Sequence, residues 1–289
     1  MSEAVTKQKA SSSLSPSANL GGGPLGSIGR VWAIALNTFR EAARIRVLYG
    51  VVILVLMSNV LALVLGEMSI YEEQRVARDV GLAGISIFGS LTAIFLGVFL
   101  LYGEIQRRTV HSIVSKPIQR WEFVVGKYVG MALVLTLLVA LFGAAMAGML
   151  TYQGGGVSSE LIKAVVLSWF EVLTVAAIAI FFSSFSSPFL SGIFALAMFV
   201  IGRLTPDIEA ATATATSGWI RLVTRVTLEI VPDLHLYSVS GRIVEGNAVS
   251  VHGDFVSWGY VAMAAGHGFL WIVGLMGLAA LLFSRRDFA

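Results

Sequence analysis

Long apolar runs, separated by short polar or glycine-rich stretches, dominate the chain from residue 47 onward. Each run is close to or above the roughly 20 residues that a helix needs to cross a bilayer. The pattern therefore predicts six membrane-spanning helices, at about residues 47–66, 83–103, 122–150, 161–183, 188–204 and 258–283. The fifth is short and starts at Pro188, which suits a first helical position. Merging it with the fourth would reverse the orientation of everything downstream.

A different pattern covers residues 28–46, before the first span. Apolar or small residues recur at steps of three and four, and polar residues take the opposite side. The apolar set is Ile28, Val31, Trp32, Ala35, Phe39, Ala42 and Ala43, and the polar set is Arg30, Asn37, Arg40, Glu41 and Arg44. The pattern predicts an amphipathic helix that lies in the headgroup plane. Residues 1–27, rich in Ser, Gly and Pro, predict a disordered tail.

Composition agrees with a membrane protein. Hydrophobic residues make up 56% of the chain and charged residues 13%, with a mean hydropathy of +0.83. These values are too apolar for a soluble domain of this size. The predicted fold class is an all-α membrane protein, with six transmembrane helices in residues 47–289 after the interfacial helix. The absence of cysteine excludes disulfides, thiolate metal sites and cysteine nucleophiles.

Basic residues indicate the orientation, because cytoplasmic loops of membrane proteins are enriched in Lys and Arg. They concentrate before the first span, in residues 104–121 and after the last span. With six spans, both termini and segment 104–121 are predicted to be cytoplasmic. The acidic stretch 67–82, the glycine-rich stretch 151–160 and the long stretch 205–257 are then external.

The sequence lacks common motifs for nucleotide binding, metal binding and hydrolysis. No G-x-x-x-x-G-K-[ST], H-E-x-x-H or G-x-S-x-G occurs, and the four histidines lie far apart. We therefore expect no enzyme activity, no metal site and no cofactor bound by this chain. Two alternatives remain open. One is an ATP-independent secondary transporter, although no convincing inverted repeat was found. The other is an intramembrane enzyme assembled from distant residues.

Three stretches resemble a known family: "ALNTFREAARIRVLYG" before the first span, the charged loop after the second, and "VPDLHLYSVSGRIVEG" before the last. In this order they resemble the permease subunits of type-2 ABC transporters, the exporter-like family. The first stretch is then similar to an interfacial elbow helix. The loop is similar to the cytoplasmic element that docks on the ATPase, which makes its candidate coupling residues Glu104, Arg107, Arg108, Thr109, Lys116, Pro117 and Arg120.

The resemblance also implies the partners and the location. It implies a dimer, either of this chain or with a related chain, in a bilayer and without nucleic acid. It further implies two ATPase subunits that carry ATP and magnesium. The expected location is the bacterial cytoplasmic (inner) membrane.

The last three predicted spans contain four acidic or basic residues, Lys163, Glu171, Arg203 and His267. Lys163 and Arg203 can reach the outer interface as orientation anchors. Glu171 and His267 lie at a similar predicted depth and could meet. They are candidates for the translocation path, or for a polar pair that ties two helices together.

The external stretch contains one further amphipathic segment, residues 218–230. Its apolar face consists of Trp219, Leu222, Val223, Val226 and Ile230. We predict that this helix lies at the outer leaflet as a lid beside the exit, and shielding of the helix ends is the alternative.

Overall fold

The computed structural model describes residues 24–68, 73–106, 119–154, 157–213, 218–239, 243–244, 247–248 and 256–284. Within these ranges the chain forms nine α-helices: α1 (Pro24–Ala43), α2 (Arg46–Glu67), α3 (Glu73–Gln106), α4 (Arg120–Tyr152), α5 (Ser159–Ser183), α6 (Pro188–Arg203), α7 (Thr205–Ala213), α8 (Gly218–Ile230) and α9 (Trp258–Ser284). A 3-10 turn (Leu234–Tyr237) and two antiparallel strands, β1 (Ile243–Val244) and β2 (Asn247–Ala248), lie between α8 and α9.

The first helix starts earlier than its apolar pattern does. It begins at Pro24, whereas the sequence predicted residue 28 and assigned residues up to 27 to a disordered tail. Proline is favourable at a first helical position because it needs no hydrogen-bond partner for its nitrogen. The part of the predicted tail before Pro24 lies outside the described residues.

Five of the described helices are long and apolar enough to cross a membrane: α2, residues 76–101 of α3, α4, α5 and α9. The predicted fifth span is different. Helix α6 ends at Arg203, and α7 continues at an angle of 64° to it, so the count reaches six only if this bent pair forms one span.

The break between α6 and α7 has a local cause. Pro206 has no backbone N–H to donate, and it disfavours helical geometry in the residue before it. The hydroxyl of Thr205 donates to the carbonyl of Gly202 at 3.1 Å, so the side chain caps a carbonyl near the end of α6. The chain therefore bends between α6 and α7, which the apolar pattern by itself does not indicate.

Helix α5 forms the centre of the bundle. All its residues from 171 to 180 are buried, and α3, α4, α6 and α9 pack around it. By contrast, only 17% of the apolar window of α2 and 28% of that of α9 are buried within the chain. The outer faces of α2 and α9 are therefore free to contact lipid or another protein.

The two ends of the bundle can be distinguished by their contacts. Arg120 Nη1, at the start of α4, donates to the carbonyl of Ser284 at the end of α9 over 3.0 Å. The rings of Phe123 and Phe283 stack beside this contact, with centroids 5.8 Å apart. Helix α1 packs against the same part of α4. We call this the α1 end, and the other end the opposite end.

Candidate functional site

A buried charged cluster joins three helices near the break between α6 and α7. The Glu171 side chain on α5 is fully buried. Its Oε1 accepts a hydrogen bond from Arg203 Nη1 at 2.6 Å, and its Oε2 accepts one from the Ser86 hydroxyl of α3 at 2.8 Å. Arg203 Nη1 also donates to the Ser86 oxygen at 2.8 Å. Both carboxylate oxygens are therefore satisfied, as a buried charge requires.

The helix break sets the depth of this cluster. Arg203 is the last residue of α6, fifteen residues after Pro188. At 1.5 Å per residue that is a rise of roughly 22 Å, short of the roughly 30 Å of a hydrocarbon core. The guanidinium therefore ends within the bundle, beside Glu171, and its side chain is 26% exposed.

A small pocket lies next to the cluster. Its walls come from the first halves of α3 and α5, from Arg203 and from the segment after the 3-10 turn, so it lies towards the opposite end of the bundle. The lining residues are Leu82, Ala83, Ser86, Ala164, Ser168, Glu171, Arg203, Tyr237, Ser238 and Val239. The pocket is partly open to solvent and has room for about one water molecule. Its polar lining is mostly hydroxyl groups beside the ion pair.

Residues 231–239, here called the plug segment, cover this pocket. The Asp233 carboxylate accepts from the backbone N–H of His235 at 3.0 Å, which fixes the 3-10 turn. The Tyr260 hydroxyl on α9 donates to the carbonyl of Leu236 at 2.7 Å. The side chain of Tyr237 is buried, and burial raises the pKa of its phenol to about 12. The plug segment is therefore tied to α9 and packed into the bundle.

The other charged residues predicted within spans have different surroundings. His267 does not bond to Glu171, since its Nε2 accepts from Trp271 Nε1, one turn along α9, at 3.0 Å. The prediction that Arg203 is an interfacial anchor was wrong, because its guanidinium binds Glu171. Lys163 Nζ lies 5.7 Å from the ring centroid of Trp258, a cation–π contact between the starts of α5 and α9.

Most of the predicted coupling residues fall outside the described residues. These are Arg107, Arg108, Thr109, Lys116 and Pro117. Glu104 belongs to the last turns of α3, and Arg120 is the first residue of α4, where it bonds to Ser284. The coupling role of the whole set stays a prediction.

Sequence reasoning missed a second charged contact, between α1 and the start of α4. Glu122 is buried and binds Arg30 through two hydrogen bonds, at 2.9 and 2.7 Å. Lys127, also buried, binds Glu41 at 3.2 Å. Hydrogen bonding to Glu122 raises the pKa of Arg30. The sequence pattern had placed Arg30 and Glu41 on the polar face of the first helix and had assigned no partner to Lys127.

A signal for this contact was present in the sequence. Gly126 and Gly130 form a G-x-x-x-G pair at the start of an apolar run, and such pairs allow close helix approach. A Cβ on Gly130 would lie 2.6 Å from Thr38 Cβ and against the carbonyl of Ala35. The glycines therefore let α1 pack directly on the backbone of α4.

The predicted lid residues lie on a helix of the expected length. In α8, Trp219, Leu222, Val223, Val226 and Ile230 are all exposed, with fractions from 46% to 68%. Exposed Arg221 and Arg225 also lie on this helix. Within the described residues, no group of three or more His, Asp or Glu side chains could hold a metal ion.

Comparison with known protein families finds a match over almost the whole chain. The model of the family described as ABC-2 family transporter protein matches residues 32–288. No curated protein matches the sequence.

Proposed function

This chain belongs to the ABC-2 family of transporter proteins, and from that premise we propose that it is the membrane-spanning subunit of an ATP-driven exporter. The family description names transporter proteins, which supports a transport subunit rather than an enzyme. The match to residues 32–288 carries the proposal. The apolar helices support it, as does a sequence without an ATP-binding P-loop.

The energy for transport comes, in this proposal, from a separate ABC ATPase that holds ATP and magnesium. The ATPase docks on segment 104–121, at the cytoplasmic face of the inner membrane, and the working unit contains two permease chains. Contacts at the α1 end support this assignment. The chain leaves the segment at Arg120, which bonds to the end of α9, and two residues later Glu122 binds α1. A displacement of the segment would therefore move α4, α1 and α9 together.

The translocation path passes, in this proposal, beside Glu171, Arg203 and the plug segment. The observation that supports it is the ion pair at the break of α6, with a pocket of hydroxyl groups next to it. Ionisable groups within spans are costly and commonly mark a route. His267 remains a second candidate for the path, with a partner on its own helix.

Helix α8 acts in this proposal as an external lid. Its exposed apolar stripe supports burial in the outer leaflet, and its two arginines suit the headgroup layer. Helix α1 is, correspondingly, the interfacial elbow on the cytoplasmic side. Its exposed Ile28 and Trp32 support contact with lipid.

The test of this function is to uncouple the ATPase from the permease. The full chain is reconstituted with its ATPase, and transport and ATP hydrolysis are measured for the variant Glu104→Ala/Lys116→Glu/Arg120→Glu. We expect normal insertion, with loss of ATPase binding or of its coupling to transport. The control is Glu209→Lys on α7, which reverses an exposed charge that has no role in this proposal. Normal coupling in the triple variant would contradict the proposed docking segment, and transport by the chain without any ATPase would contradict the function.

A further inference from the structure

The corner between α1 and α2 carries three exposed arginines. Arg40 is on the last turn of α1, Arg44 follows the helix end, and Arg46 starts α2. All three side chains are exposed, and within the described residues none forms a salt bridge. Like charges so close together repel one another unless an anion lies between them.

The nearby opposite charges are already used. Glu41 lies between these arginines in sequence, but it binds the buried Lys127 of α4 at 3.2 Å. Glu122 binds Arg30. Each of these ion pairs joins α1 to α4 and contains one positive and one negative side chain, so neither pair changes the net charge. The corner therefore keeps three positive charges.

An apolar surface lies beside this charge. Ala35, Thr38 and Ala42 are buried on the side of α1 that contacts α4. Ile28 and Trp32 lie on a neighbouring side and are 66% and 52% exposed. At 100° per residue, Arg40 lies on the next side of the helix, and Arg44 follows directly after the helix end. Helix α1 thus has one face for α4, one for an apolar medium and one that is cationic.

We propose that Arg40, Arg44 and Arg46 form a binding site for the headgroups of anionic phospholipids. The combination of exposed Trp, exposed Ile and arginine on one helix fits a membrane surface better than a free anion, because a free phosphate leaves the apolar side in water. Basic residues next to a membrane are attracted to anionic lipids, by about 1 kcal/mol each or roughly fivefold in affinity. Because two ion pairs join α1 to α4, a lipid bound to α1 would also help to hold α4 in place.

The experiment uses Trp32 as the probe. The full chain is placed in vesicles that contain a minor fraction of brominated phosphatidylglycerol or, at the same fraction, brominated phosphatidylcholine. Bromine quenches tryptophan on contact, and the difference between the wild type and Trp32→Phe isolates Trp32 from the other five tryptophans. We expect several-fold stronger quenching of Trp32 by the anionic lipid.

Three variants test which residues cause the preference. In Arg40→Gln/Arg44→Gln/Arg46→Gln the two lipids should quench about equally. The variant Arg40→Lys/Arg44→Lys/Arg46→Lys keeps the three positive charges and should keep most of the preference. Loss of the preference in the Gln variant alone would then result from the lost charges and not from replacement of the arginine side chains as such. Arg221→Gln/Arg225→Gln on α8 should leave the Trp32 signal unchanged. Excess inorganic phosphate should not compete.

Four results would overturn the proposal. Equal quenching by both lipids in the wild type would show that no anionic preference exists. A preference that survives the Gln triple variant would assign it to other residues. Absence of quenching by either lipid would place Trp32 outside the membrane, and loss of the preference in phosphate would identify a site for the free anion. Transport activity enters none of these readouts, so they are independent of the proposed function.

Discussion

Glu171 is held by donors from two other helices, Ser86 on α3 and Arg203 on α6. Such a buried pair contributes little net stability by itself, because both groups lose their hydration. Removing one member is different, since the remaining charge is left buried without a partner. The effect of a substitution therefore depends on which charges remain, and that dependence can be measured.

We expect Arg203→Met to lower the free energy of unfolding by up to about 3 kcal/mol, because it leaves the Glu171 carboxylate unpaired. The double variant Glu171→Met/Arg203→Met should regain most of that loss. Thermal unfolding of the purified chain in detergent measures both. A double variant as unstable as Arg203→Met would show that the ion pair is not the cause.

The role of Glu171 in transport needs a separate comparison. Glu171→Gln should change transport or its dependence on pH if the carboxylate faces the route, and should reduce mainly stability if it only ties helices together. The matched variant is His267→Gln. Because the His267 ring hydrogen-bonds to Trp271 within α9, we expect a smaller change in transport for this variant. Full transport with unchanged unfolding temperature in the double variant Glu171→Gln/His267→Gln would contradict both roles.

Gly130 allows a third test at single-residue resolution. Gly130→Ala places a methyl group against Thr38 and the carbonyl of Ala35, so α1 must move away from α4. Overpacking of this kind costs typically about 1–3 kcal/mol. The control is Gly148→Ala on the same helix, where a Cβ meets no atom within 4 Å. Equal unfolding temperatures for the two variants would contradict close packing of α1 on α4.

At the scale of elements, α8 is the helix whose surroundings depend most on the membrane. Its apolar stripe is exposed, and α7 is the element packed against it most closely among those described. An exposed stripe of Trp, Leu, Val and Ile indicates a face that contacts a membrane or another protein. The outer leaflet is the cover that suits a lid, whereas burial against other helices would suit shielding.

We expect a spin label at Val226→Cys to report an apolar environment that changes when ATP is trapped in the complex. The chain has no cysteine of its own, so the label is unique. A label at Arg225→Cys, on the polar side, should report a more aqueous environment. An aqueous signal at position 226 would contradict burial in the leaflet, and an apolar signal that ignores ATP would leave only the shielding role.

At the scale of the whole molecule, the contacts fix which ends lie together. The start of α4 and the end of α9 meet at the α1 end, so they lie on one side of the membrane. Which side is cytoplasmic follows from the basic residues, and that assignment stays a prediction.

Labelling of single cysteines checks the orientation in intact cells. Cysteine at Ser112 or Gln119 should react only with reagents that cross the membrane. Cysteine at Gln74 or Ser250 should react with reagents that cannot cross it. These two pairs serve as controls for each other, and the reverse pattern would contradict the proposed orientation.

The sequence by itself determined the helices of this protein. Four apolar runs became long helices within about two residues of the predicted bounds, and both amphipathic segments became helices, because hydrophobicity and helical period are local properties. The second run is an exception, because α3 begins at Glu73, ten residues before the predicted start at residue 83 and within the stretch 67–82 that was predicted to be external. The family could also be recognised from local motifs in their order. The apolar run that ends at Arg203 was misjudged as a simple span, although the Leu204–Thr205–Pro206 sequence carried the signal for its end.

Only the tertiary structure decided which charged residues meet. The predicted depths allowed Glu171 to meet His267, yet the partner of Glu171 is Arg203, which the end of α6 brings to the same level. Arg30 and Glu41 were assigned to water, yet they bind Glu122 and Lys127. The physical reason is that depth follows from counting residues, whereas contact between helices depends on their rotation, their crossing and their bends. Those are set by how all the helices pack together, and no local pattern contains them.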